Sequence, residues 1–122
     1  MKPRVLCLDD EAPMRELLSD FLRGKGCDVA TAATGQRAFE LAGGKRFDLA
    51  LFDIRIAGEN GLELLTVFRT SFPNLPIIMF TGLDEKIELV EEAKLRGASG
   101  FMRKTDPLED LFDAMRAYLP SS

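Results

Sequence analysis

The sequence predicts an α/β fold: an open five-stranded parallel sheet with helices on both faces. Three observations carry this. Strand and helix signals alternate five times within 122 residues, the arrangement that short β-α-β crossovers wind into a parallel sheet. Three strand candidates, Val5-Leu6-Cys7-Leu8, Leu49-Ala50-Leu51-Phe52 and Ile77-Ile78-Met79-Phe80, are unbroken apolar runs, as strands buried on both faces require. Each run then meets polar chemistry: Asp9-Asp10-Glu11, Asp53 and Thr81-Gly82.

The elements follow in order. Pro13 suits the first turn of a helix, and Met14, Leu17, Leu18, Phe21 and Leu22 form its apolar face up to Gly24. Val29-Ala30-Thr31-Ala32 is a weaker strand that belongs at an edge. Thr34 caps a second helix carrying Ala38, Phe39, Leu41 and Ala42, closed by Gly43-Gly44. The loop after Asp53 is rich in turn residues, Gly58-Glu59-Asn60-Gly61. Leu64, Leu65 and Phe68 mark a third helix that stops before Pro73. Asp84 is placed to cap a fourth helix with Ile87, Val90 and Ala93 inward and Gly97 at its end. Gly100-Phe101-Met102 is a short last strand. Asp106-Pro107-Leu108-Glu109 reads as N-cap, proline at the first helical position, and an acid at the third.

Length and composition bound the function. A chain of 122 residues, 46% hydrophobic, suits one domain over residues 1–122 with a full core. The net charge of −4 disfavours direct nucleic-acid binding. The N-terminal apolar run ends at Asp9, too early for a signal peptide or a membrane span. A soluble, cytoplasmic protein is expected. Cys7 and Cys27 then read as free thiols with no metal role. Histidine is absent, which removes the commonest general base and metal ligand.

In open parallel sheets the ligand site lies beyond the carboxyl ends of the strands, where strand order reverses. For order 2-1-3-4-5 that point falls between the first and third strands, which end in Asp9-Asp10 and Asp53. A carboxylate ending a buried strand does nothing for packing, so Asp53 reads as a nucleophile that the other strand ends serve. Three or four converging carboxylates repel one another. A divalent cation relieves this, and hard oxygen ligands with room for water and phosphate favour Mg²⁺ over zinc or a calcium cage. Aspartate attacks phosphorus to give an aspartyl-phosphate. Lys104 supplies a point charge for phosphate oxygens, and Thr81 a hydroxyl. Taken alone, Glu11 is a solvated loop acid, Lys104 a surface cation and Thr81 an ordinary strand-end threonine.

Asp9-Asp10, Asp53, Thr81 and Lys104, each at the end of its strand, make the whole chain resemble the receiver domains of two-component response regulators. These have the CheY-like, flavodoxin-like (βα)5 fold. The resemblance implies that Asp53 accepts phosphate from a histidine-kinase phosphohistidine, or from a phosphotransfer protein. It implies Mg²⁺ on Asp10 and Asp53, with Asp9 acting mainly through water and the main-chain carbonyl of Arg55 as the remaining protein ligand. Thr81 and Phe101 match the hydroxyl and aromatic positions that move together on phosphorylation. The output surface would be the fourth helix, fifth strand and fifth helix, contacting an output domain, a partner or a second copy. Arg55 and Leu83 match the positions bordering the approach of hydrolytic water.

Three positions depart from the family pattern. Ala57 stands where proline is usual. Thr105 follows Lys104 where the family has a cis proline, and a cis bond without proline costs roughly 2.5–4 kcal/mol. Arg55 is a large cation two residues past the phosphoacceptor. None of the three removes a reacting group. One rival is a Mg²⁺-dependent phosphatase of the haloacid-dehalogenase type, whose nucleophile lies on the first strand. Another is a degenerate receiver that only binds, against which the intact acidic set stands.

Overall fold

The computed structural model describes residues 2–56, 58–82 and 86–120, Thr81 by its backbone alone. The expectations for Ala57, Leu83, Asp84 and the Thr81 hydroxyl lie outside the described residues.

Five parallel strands form the sheet: β1 (Arg4–Leu8), β2 (Asp28–Ala32), β3 (Leu49–Asp53), β6 (Ile77–Thr81) and β7 (Gly100–Arg103). Between β3 and the third helix lies a small antiparallel ribbon, β4 (Arg55–Ile56) with β5 (Glu59–Asn60). The order β2-β1-β3-β6-β7 is the expected 2-1-3-4-5 once the ribbon is set aside. The helices are α1 (Ala12–Gly24), α2 (Gly35–Gly44), α3 (Gly61–Ser71), α4 (Ile87–Leu95) and α5 (Leu108–Met115).

Strand periodicity explains why the apolar runs are continuous. Successive side chains point to opposite faces. Val5, Cys7, Leu49, Leu51, Ile78 and Phe80 pack with Leu18 and Leu22 of α1 and Leu111 and Met115 of α5. Leu6, Leu8, Ala50, Phe52, Ile77 and Met79 pack on the other face with Ala38, Leu65, Phe68 and Ala93 of α2, α3 and α4. Every residue of β3 is therefore buried. Cys7 and Cys27 are free, as expected, and both are buried.

Several local signals act as read. Thr34 accepts from the Arg37 N–H, and Pro13 sits in the first turn of α1. Asn60, read only as a turn residue, also caps α3, its Oδ1 accepting from the N–H groups of Leu62 and Glu63. Two expectations are corrected. The residue at the N-cap of α5 is Pro107 and the helix begins at Leu108; the Asp106 carboxylate accepts instead from the Arg103 N–H, closing the turn behind β7. Ile87, expected inward, is 69% exposed, because it is the first residue of α4 and stands ahead of the turn that packs at Ala93. Among the described residues no peptide bond is cis, the Lys104–Thr105 bond included.

Candidate functional site

Parallel registry brings the acids together. Leu8 lies opposite Phe52 on neighbouring strands, so Asp9 and Asp53, one residue further along each, leave the sheet at the same height. Both belong to the face that carries Val5, Cys7, Leu49 and Leu51. Two backbone bonds fix these ends: Asp9 N–H donates to the Ala32 carbonyl, and Ile54 N–H to the Phe80 carbonyl. Asp9 and Asp53 are 1% and 5% exposed, and both count among the few buried charged residues.

Around them one oxygen each of Asp9, Asp10, Glu11 and Asp53 lies within 4.8 Å of the others. Lys104, in the turn after β7, reaches into this group. Its Nζ donates to Asp53 Oδ2 at 2.7 Å and lies 3.0 Å from Asp9 Oδ2 and 3.5 Å from Glu11 Oε1. Asp53 Oδ1 accepts from the Arg55 N–H at 3.0 Å. Asp9 Oδ1 accepts from the Glu11 N–H at the start of α1, and the Arg15 guanidinium donates to the Asp9 carbonyl. A cleft of about 330 Å³ opens above, lined by Asp10, Glu11, Asp53, Arg55, Gly82 and Lys104.

The electrostatics are unbalanced. Burial raises the Asp53 carboxyl pKa above its ordinary value; the hydrogen bonds from Lys104 and Arg55 pull the other way, and nearby Asp9 adds to the rise. Burial also opposes the charge on Lys104. Its contacts with Asp53 and then Asp9 outweigh that and hold the ammonium above its usual range. The two partners thus differ: Lys104 keeps its proton firmly, while the Asp53 anion is disfavoured, first by burial and then by Asp9.

The group fits a hard divalent cation. Asp9 Oδ2 is buried, and among the described residues its one close cation is the Lys104 ammonium, 3.0 Å away and shared with Asp53. An oxygen with unused acceptor capacity beside three further carboxylates is the donor set that Mg²⁺ takes, with water completing its shell.

The comparisons with known proteins agree with this geometry. The family model of the response regulator receiver domain matches residues 5–116. The chain belongs to that family. It is 30% identical to sporulation initiation phosphotransferase F of Bacillus subtilis, covering 98% of this chain and 96% of that one. It is 32% identical to the DNA-binding response regulator MtrA of Mycobacterium tuberculosis, over 98% of this chain but 51% of that protein. This receiver chain thus spans about half the length of its MtrA relatives. In structure it resembles the chemotaxis protein CheY4 of Vibrio cholerae, with TM-score 0.90 and 29% identity over 98% and 100% of the two chains. It also resembles the receiver domain of NtrX from Brucella abortus, with TM-score 0.89 and 29% identity over 97% and 99%. Receiver domains are signalling switches, and the dehalogenase-type rival falls away.

Of the residues singled out in the sequence, the structure brings together Asp9, Asp10, Asp53 and Lys104, with Glu11 at their edge. Arg55 is exposed at the start of β4, on the cleft wall. Phe101 lies in β7 opposite Met79, its ring partly buried and the Lys94 ammonium 5.7 Å from its centroid. The Thr81 backbone ends β6 opposite Arg103. Sequence reading underrated Glu59, which bonds to the start of α2. Its one signal was an acid between two turn residues, Gly58 and Asn60.

Proposed function

We propose that this receiver domain takes a phosphoryl group on the Asp53 carboxylate and that residues 1–122 work as one such unit. The observation that carries this is the convergence of the Asp9, Asp10 and Asp53 carboxylates at the strand ends, with Lys104 on Asp9 and Asp53. In the transfer an Asp53 oxygen bonds to phosphorus as the phosphorus–nitrogen bond of a phosphohistidine breaks, and the donor imidazole leaves with the electron pair and takes a proton. The donor is a sensor histidine kinase or a phosphotransfer protein. Lys104, already on Asp53 Oδ2, then balances charge on the phosphoryl oxygens. The chain catalyses only its own phosphorylation and dephosphorylation.

Asp10 and Asp53 would hold Mg²⁺, with Asp9 through water and the Arg55 main-chain carbonyl as a further ligand. The ion supplies neutralising charge for the transfer. A cytoplasmic setting belongs to the same reading.

Thr81 and Phe101 form the switch. Phosphorylation draws the Thr81 hydroxyl toward the phosphoryl group and lets the Phe101 ring turn further in, which alters α4, β7 and α5. Ile87 and Leu95, 69% and 83% exposed on α4, support a contact there with an output domain, a partner or a second copy. Arg55 and Leu83 border the path of hydrolytic water and set the lifetime of the phosphorylated state.

Incubation with a small-molecule phosphodonor tests the reading. Incorporation that needs Mg²⁺ and is lost in Asp53→Asn supports it. Undiminished incorporation in Asp53→Asn overturns it.

A further inference from the structure

The ribbon that follows Asp53 is too short to hold itself in place. β4 and β5 have two residues each, and among the described residues they pair only with each other; a two-stranded hairpin alone is marginal in water, so contacts outside the ribbon place it, the buried Ile56 of β4 being one of them. Yet the ribbon carries the Arg55 N–H that bonds Asp53 Oδ1.

Glu59 supplies a distant anchor. Both of its carboxylate oxygens accept from the Gly35 N–H, at 3.0 and 3.1 Å, across 24 residues of sequence. Gly35 is the first residue of α2, whose Thr34 cap is engaged by Arg37 instead. The carboxylate therefore satisfies a helix-end donor that the cap leaves open, where the helix dipole favours negative charge. The junction is close-fitting. Gly35 is buried, and a Cβ there would lie 2.7 Å from Glu59 Oε1 and would also strike Leu64 of α3. A continuous path thus runs from the α2 N-terminus through Glu59 and its partner Ile56 to Arg55 and Asp53.

We infer that Glu59 is a positioning residue for the phosphoacceptor loop: by tying β5 to α2 it sets where the Arg55 main chain stands beside Asp53. The alternative is a helix cap that serves α2 alone. The consequence for phosphorylation rests on Asp53 being the acceptor; the positioning itself is measured without any phosphodonor.

The test is residue-resolved amide exchange on the metal-free chain, followed by titration with Mg²⁺ alone, in wild type, Glu59→Gln and Glu59→Ala. Glu59→Ala is expected to cost the Gly35 amide about ten- to a hundredfold of its protection, the range that a hydrogen bond to a charged group supplies. The Arg55 amide should follow, and Mg²⁺ affinity should fall severalfold. Glu59→Gln, which keeps one acceptor oxygen, should lie between. Ile78 and Met102 in the sheet should keep their protection. A Gly35 amide that opens while Arg55 and Mg²⁺ affinity stay unchanged overturns the inference in favour of the cap alone. Uniform loss of protection in both variants overturns it too, by making Glu59 a general stability residue. A wild type that is never phosphorylated would sink the acceptor assignment but leave the Arg55 result standing.

Discussion

Lys104 Nζ donates a 2.7 Å hydrogen bond to Asp53 Oδ2, joining the turn behind the last sheet strand to the end of the third. The same ammonium lies 3.0 Å from Asp9 Oδ2. Lys104 is therefore both a partner of Asp53 and a competitor of any cation in the cluster. Lys104→Ala should slow phosphorylation by on the order of 10²-fold, as loss of one preorganised donor does. It should also raise Mg²⁺ affinity, because a competing charge is gone. The two effects, read by donor-labelling rate and metal titration, run in opposite directions. A variant that binds Mg²⁺ more weakly would contradict this view of the site.

Asp53 ionises against its burial and against Asp9. In metal-free protein at neutral pH, Asp53→Asn should therefore unfold at higher urea concentration than wild type. Saturating Mg²⁺ should narrow the difference, since binding to the folded state stabilises it. A metal-free variant less stable than wild type would show that the pair with Lys104 outweighs the repulsion.

The start of α3 admits little change. A Cβ at Gly61 would collide with the Ile54 carbonyl, and backbone cannot swing aside as a side chain does. Gly61→Ala should cost about 1–3 kcal/mol or more, as overpacking does. Asn60→Ala removes the side-chain cap and should cost about 1 kcal/mol. Denaturant titration of both variants checks the order; an Asn60→Ala cost exceeding that of Gly61→Ala would reverse it.

Much of this was legible because it rests on local signals. Continuous apolar runs at Val5, Leu49 and Ile77 identify strands covered on both faces, and a carboxylate ending such a run has nowhere to go but the site. Long-range pairs leave no such trace. The Glu59 carboxylate on Gly35 was hidden in an ordinary turn. Nor does the helical position of Arg69 announce that its guanidinium donates to the carbonyls of Pro73, Leu75 and Gly97 and ties α3 to the loop after α4. Asp106 misled because Asp-Pro is a strong helix-start signal, yet the nearby Arg103 N–H competes for the same carboxylate. Ile87 misled because periodicity cannot tell the first residue of a helix from its packed middle.

The cysteines contribute an alkaline pH dependence beside that of Lys104. Burial, then Asp9 and Cys27, pushes the Cys7 thiol up to about 12 from 9.0; burial, then Asp28, raises Cys27 as well. Above pH 9 the unfolded chain releases these protons while the folded chain retains them. Stability should therefore fall as pH rises from about 9 towards 12. Cys7→Ala should flatten that decline, and native wild type should resist thiol reagents at pH 8. Rapid native labelling of both thiols would contradict their burial.

Chemical trapping shows directly whether Asp53 carries the phosphoryl group. Borohydride reduces an acyl phosphate to the alcohol, so an aspartyl-phosphate becomes homoserine at the modified position. After treatment with a phosphodonor and Mg²⁺, peptide mass mapping should find homoserine at position 53. It should be absent when the metal is chelated. Homoserine at position 9 or 10 instead, or phosphorylated protein with Asp53 unaltered, would contradict the account.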